Sequence, residues 1–138
     1  MTLEEAKSTI IHTISRMNAV YAPALFDEWV LVSLRNNAGA ILSYNGPRAE
    51  SYQRQFVADI QPLQTVVARR VQSVGDFEFA PDAGGTRYDA CLKTGAASFL
   101  FCNNTRKSMT ELRQDSMWLE AQKSFVQLSA KFQADPLE

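Results

Sequence analysis

The order in which the hydrophobic period switches between helical and strand-like constrains this chain more than any motif in it. A helix comes first, then two strands joined by a turn, a long helix, three short strands and a closing helix. That α-β-β-α-β-β-β-α succession predicts an α+β fold on a five-stranded antiparallel sheet. At 138 residues the chain fits a single domain, 1–138, long enough to bury a substantial core.

The helical segments announce themselves by caps and spacing. Thr2-Leu3-Glu4-Glu5 is a capping box, and Leu3, Ala6, Ile10, Ile14 and Met17 follow as one apolar stripe. Tyr21-Ala22-Pro23 interrupts that helix. Beyond Pro47, which suits a first helical turn, Tyr52, Phe56, Ile60, Leu63, Val67 and Val71 recur at helical intervals. Pro62 removes one backbone donor inside that run and predicts a kink or two abutting helices. A strand over Thr65–Arg70 is the weaker assignment, because the helical spacing is sustained across it. Ser108-Met109-Thr110-Glu111 is a second capping box, and Asp115 is placed to cap a main C-terminal segment carrying Trp118, Ala121, Phe125, Leu128 and Phe132. The last residues, Asp135-Pro136-Leu137-Glu138, are expected to fray.

The strands read from alternation and turn chemistry. Trp29, Leu31 and Ser33 alternate with Val30, Val32 and Leu34, so this strand is apolar on both faces and belongs in the middle of a sheet. Asn36-Asn37-Ala38-Gly39 tolerates positive φ and makes the turn into Ala40–Tyr44, which Asn45-Gly46-Pro47 closes. Phe77 and Phe79 alternate with Asp76 and Glu78 as a half-buried strand. Thr86–Lys93 alternates again, with Tyr88, Ala90 and Leu92 expected on one face. Ser98–Cys102 is almost wholly apolar and is expected inside the sheet.

Composition removes several function classes. A net charge of −1 and a pI near 5.8 draw the molecule towards neither nucleic acid nor an anionic membrane. No basic, apolar leader and no membrane-length apolar run is present, so a cytoplasmic location is the expectation. Cys91 and Cys102 are expected as buried free thiols of a reducing compartment. They face each other only if their hairpin turns between Ala96 and Ala97; one residue of slip sends them to opposite faces. Asn103-Asn104-Thr105 matches a glycosylation sequon, which without an export signal carries no modification.

Catalytic and cofactor patterns fail one after another. His12, the lone histidine, lies opposite its helix's apolar stripe and is expected at the surface. With no second histidine, no zinc site is expected, and no nucleophile elbow exists for a serine triad. Gly84-Gly85 leads into a strand rather than a helix, so it is no phosphate cradle. A reactive Cys91, activated by Arg87 and Lys93 on its face, is the best enzymatic reading and still a poor one. The expectation is a non-enzyme with no catalytic residues, no metal and no cofactor.

Association is what the pattern leaves. The stripe from Tyr52 to Val71 is widened by Val57, Val66 and Ala68, and one layer of sheet covers only one side of a helix. The stripe alone leaves open a deeply buried core helix and a helix shared with a second subunit.

The element order, the hairpin Trp29–Tyr44 tipped by Asn36-Asn37-Ala38-Gly39, the helix after Pro47 and the three strands of Phe77–Cys102 resemble the profilin-like folds, among them the roadblock (dynein light-chain roadblock) family. The resemblance spans about residues 3–132. It implies a homodimer in which the central helix and an adjacent edge strand pair across a two-fold axis. It also implies a scaffold or regulatory role beside a small Ras-like GTPase. Tyr52, Phe56, Val57, Ile60, Leu63 and Val67 are then the interface residues. Pro62 and the long region after Ser108 depart from the family pattern. The alternative is a dimer like the type III secretion chaperones, which bind an effector segment along grooves and sheet edges. Those place three strands before the middle helix and two after it, whereas two and three are read here.

Overall fold

The computed structural model describes residues 1–20, 25–34, 40–46, 71–79 and 88–137. Among them lie α1 (Leu3–Val20), β1 (Glu28–Ser33), β2 (Ala40–Asn45), β3 (Phe77–Phe79), β4 (Ala90–Lys93), β5 (Ser98–Asn103), α2 (Met109–Gln114) and α3 (Trp118–Ala134). The five strands form one antiparallel sheet in the order β2-β1-β5-β4-β3. The molecule is therefore α+β, as the period changes predict; among the described residues two strands lie before residues 47–70 and three after them.

Both sheet faces are apolar because β1 and β5 occupy the middle. Every residue of β5 is buried, as is every residue of β1 but Ser33. Trp29, Leu31, Ala90, Leu92, Leu100 and Cys102 face the terminal helices, which contribute Ala6, Ile10, Ile14 and Met17 from α1 and Trp118, Ala121, Phe125, Leu128 and Phe132 from α3. The expected stripes of both helices are thus the buried ones, and His12 is exposed. The helices run antiparallel: the Met1 amino group donates to Asp135 and to the Pro136 carbonyl, while Arg16 and Met17 lie beside Glu120 and Ala121.

The caps form largely as the sequence suggests. Glu5 N–H donates to Thr2 Oγ1, and at α2 the Ser108–Glu111 box is reciprocal. The Asp115 side chain accepts from the N–H of Met117, the residue before α3, while its backbone carbonyl accepts from Trp118 N–H at the helix start. Between α1 and β1, Asn18 holds both backbone groups of Phe26, donating to its carbonyl at 3.1 Å and accepting from its N–H at 3.2 Å.

Three expectations are corrected. The C-terminal segment does not fray as far as Leu137, which is 4% exposed and whose N–H donates to Thr94 O at 2.8 Å; Glu138 lies outside the described residues. Only glycine permits this approach, since a Cβ on Gly95 would lie 2.0 Å from the Leu137 carbonyl oxygen. Tyr88 does not share a face with Ala90 and Leu92 but packs on the opposite one, 5.4 Å ring to ring from Phe101. The cause is a bend at Asp89, whose N–H is taken by the Cys102 carbonyl and Asn103 Oδ1 before the ladder begins at Ala90. Val71, the last member of the central helical stripe, stands outside any helix, because the chain enters the Ser73–Asp76 turn two residues later. That turn needs Gly75, at φ +93°, whose carbonyl accepts from Ser129 on α3.

Candidate functional site

The six residues expected at an interface, Tyr52, Phe56, Val57, Ile60, Leu63 and Val67, lie outside the described residues, as does Pro62. What the structure does place is the surface such a segment would need. On the sheet face away from α1 and α3, Val30, Val32, Val71, Tyr88, Cys91, Phe99 and Phe101 form a second buried cluster, edged by Leu34 and Ile41. No helix among the described residues contributes to it. The rings of Phe99 and Phe101 stack at 6.4 Å, and Lys93 Nζ lies 5.5 Å above Phe99 while donating to the Gln72 carbonyl. A sheet apolar on both sides is the condition for a three-layer arrangement or a shared interface.

The thiols occupy opposite sides of that sheet. Ala90 pairs with Cys102 and Cys91 with Phe101, so the β4–β5 hairpin is centred on Ala96 rather than between Ala96 and Ala97. Both cysteines are free and buried, in line with expectation. Burial pushes the Cys91 thiol well above its ordinary value, with Cys102 and Glu78 adding to the shift. Burial does the same to Cys102, helped by Asp89. Lys93 does not activate Cys91, since its ammonium is held by Gln72 and Phe99; Arg87 lies outside the described residues. Thiolate chemistry at neutral pH is disfavoured at both positions.

Two consequences can be measured. Iodoacetamide at neutral pH should label the native protein roughly 100-fold or more slowly than the unfolded chain, because attack awaits an opening of a few kcal/mol; rapid labelling of Cys91 would restore the enzymatic reading. Because both folded-state values are raised, the thiols favour folding below the ordinary value of about 9 and withdraw that support as pH climbs beyond it. Stability measured by denaturant should therefore fall on the alkaline side of pH 9, and fall less steeply in Cys102→Ala.

No group of three or more metal-ligating side chains exists among the described residues. No family model, curated protein or solved structure matches the chain. A cleft of about 220 Å³ lies between α1 and α3, lined by Arg16, Met17, Glu120, Lys123, Ser124 and Gln127. Lys123 is paired with Glu120 at 3.2 Å and Ser124 donates to the Glu120 carbonyl, so these three polar groups of the cleft serve α3 itself.

One polar constellation was hidden in the sequence. The sequon residues belong to a latch at one end of the sheet: Asn104 donates to the Leu25 carbonyl at 2.7 Å and accepts from the N–H groups of Arg106 and Lys107. Asp27 accepts from both Thr105 groups, and Asp89 from the Asn104 N–H. Asn103, the residue a glycan would occupy, is 3% exposed and donates to Glu28. Asn-Asn-Thr is here a structural string. Its distant partners, Leu25, Asp27, Glu28 and Asp89, sit 14 to 79 residues away, which no local pattern reveals. Among the described residues, no helix is long and apolar enough to cross a membrane.

Proposed function

We propose that this chain is a non-catalytic homodimeric scaffold or regulatory module of the roadblock kind. It works in the cytoplasm with a protein partner of the small Ras-like GTPase class. The observation that carries the reading is the two-faced sheet: the terminal helices occupy one side, and the other carries Val30, Val32, Phe99 and Phe101 with no described helix upon it. The broad apolar stripe of Tyr52, Phe56, Val57, Ile60, Leu63 and Val67 supplies a segment suited both to that face and to a two-fold mate. Among the described residues, two strands precede residues 47–70 and three follow them, a count that favours this reading over a secretion-chaperone dimer, whose count runs the other way.

The test is mass in solution. Light scattering should give twice the 15.4 kDa of the chain at micromolar concentration. Val57 lies beside the main stripe, so Val57→Asp should leave a folded monomer, because a carboxylate cannot be desolvated in an apolar interface without a cost of several kcal/mol. A wild-type monomer, or a Val57→Asp dimer as tight as wild type, overturns the proposal.

A further inference from the structure

The two edges of the sheet are guarded unequally. Among the described residues β3 presents Phe77–Phe79 with Glu78 at their centre, an edge that carries a charge. β2 presents six, Ala40–Asn45, with neither a charge nor a proline among them. Unpaired N–H and C=O groups on a strand edge invite another strand, and charge, proline or brevity are the usual deterrents. β2 has only a one-residue bulge opposite Leu31. It is also open: Ala40, Tyr44 and Asn45 are exposed and the rest half-buried, whereas every residue of β5 is buried.

We propose that β2 is a strand-pairing surface for β2 of a second copy of this chain, antiparallel about a two-fold axis. The strand is self-complementary in that arrangement. Centring the axis between Leu42 and Ser43 sets Ile41 opposite Tyr44 twice over, with Ala40 opposite Asn45 and Leu42 opposite Ser43. Ile41 pairs with Val32 and Tyr44 with Val30 inside the protomer, so both lie on the sheet face of the second cluster. Two aromatic–β-branched cross-strand pairs then fall on one side of a continued sheet, and no like charges meet. A charged peptide would find no complementary charge on this edge. The 40% exposure of Tyr44 is the surface such pairing covers. The bulge falls at the axis, divides the ladder into two short halves and increases its twist, so the association is weak and forms at high protein concentration.

β2 shares no residue with the Tyr52–Val67 stripe. A chain carrying both would link dimers into tetramers or open arrays. The experiment is oxidative cross-linking of Ile41→Cys and Tyr44→Cys chains, each alone and mixed. Directly opposed positions lie about 5 Å apart at Cβ, close to disulfide reach, and the native thiols are buried. The mixture should cross-link faster than either variant alone; equal rates overturn the proposal. In sedimentation equilibrium up to near-millimolar protein, Tyr44→Lys should weaken association beyond the dimer by about tenfold, an edge lysine being a known deterrent to pairing; an unchanged profile also overturns it. Val57→Asp separates the two readings. A dimer as tight as wild type with the mixed cross-link retained overturns the scaffold interface alone, and a folded monomer whose mixture cross-links no faster overturns the strand pairing alone.

Discussion

Phe125→Ala should cost about 3–5 kcal/mol of folding stability and lower the melting temperature by about 10–20 °C. Phe125 is wholly buried at the centre of α3, and three rings converge on it: Phe26 at 5.6 Å, Phe77 at 5.9 Å and Phe79 at 5.3 Å. Those rings come from the α1–β1 connection and from the edge strand β3, so a single side chain clamps the C-terminal helix to both ends of the chain's own fold. Truncation removes the transfer free energy of a phenyl group and leaves a cavity. Its walls cannot collapse while Phe77 and Phe79 are held by the β3–β4 ladder. Trp118, one helix end away and stacked edge-on against Phe79 at 4.7 Å, is the nearest comparison. Val126, the next residue along and exposed, should change stability by no more than about 0.5 kcal/mol when cut to alanine. Urea titrations of the three variants decide the matter, and a Phe125→Ala loss below about 1 kcal/mol would mean that α3 is not seated on the sheet.

The core was legible in the sequence where period alone determines burial. Ile10, Ile14, Phe125, Leu128 and Phe132 were readable because an amphipathic helix must bury its stripe, whatever it packs against. Val30 and Val32 were readable as two-sided because a central strand has no solvent face. What failed was set by contacts distant in sequence. Tyr88 continues the alternation of Ala90 and Leu92, yet a carbonyl and an amide oxygen from β5 seize the Asp89 N–H and turn the side chain over. Leu137 follows a helix end and a proline, the signature of a loose tail, yet a glycine 42 residues earlier opens the space that receives it. The hairpin register, one residue from the one that would face Cys91 to Cys102, is a similar case: turn geometry decides register, and Thr94-Gly95-Ala96-Ala97 admits more than one. The candidate interface was legible only as a broad stripe, since width of an apolar face says that something covers it and not what.

Asn104→Ala tests the least legible feature, and should cost about 2–3 kcal/mol. Its side chain makes three hydrogen bonds, to the Leu25 carbonyl and from the Arg106 and Lys107 N–H groups, each worth about 1 kcal/mol net. Arg106 is exposed, so water can replace that partner; the Leu25 carbonyl, beneath a fully buried side chain, has poorer access to a substitute. The loss should therefore exceed that of Arg106→Ala, which keeps the same N–H and should stay within about 0.5 kcal/mol. A double change, Asn104→Ala with Thr105→Val, should cost less than the sum of its parts, because both side chains tie the same turn to the segment entering β1. Additive losses would mean that Asn104 and Asp27 act as separate contacts. A coupled loss would make the end of β5 and the start of β1 one polar unit, at the end of the ladder that sets Glu28 opposite Asn103.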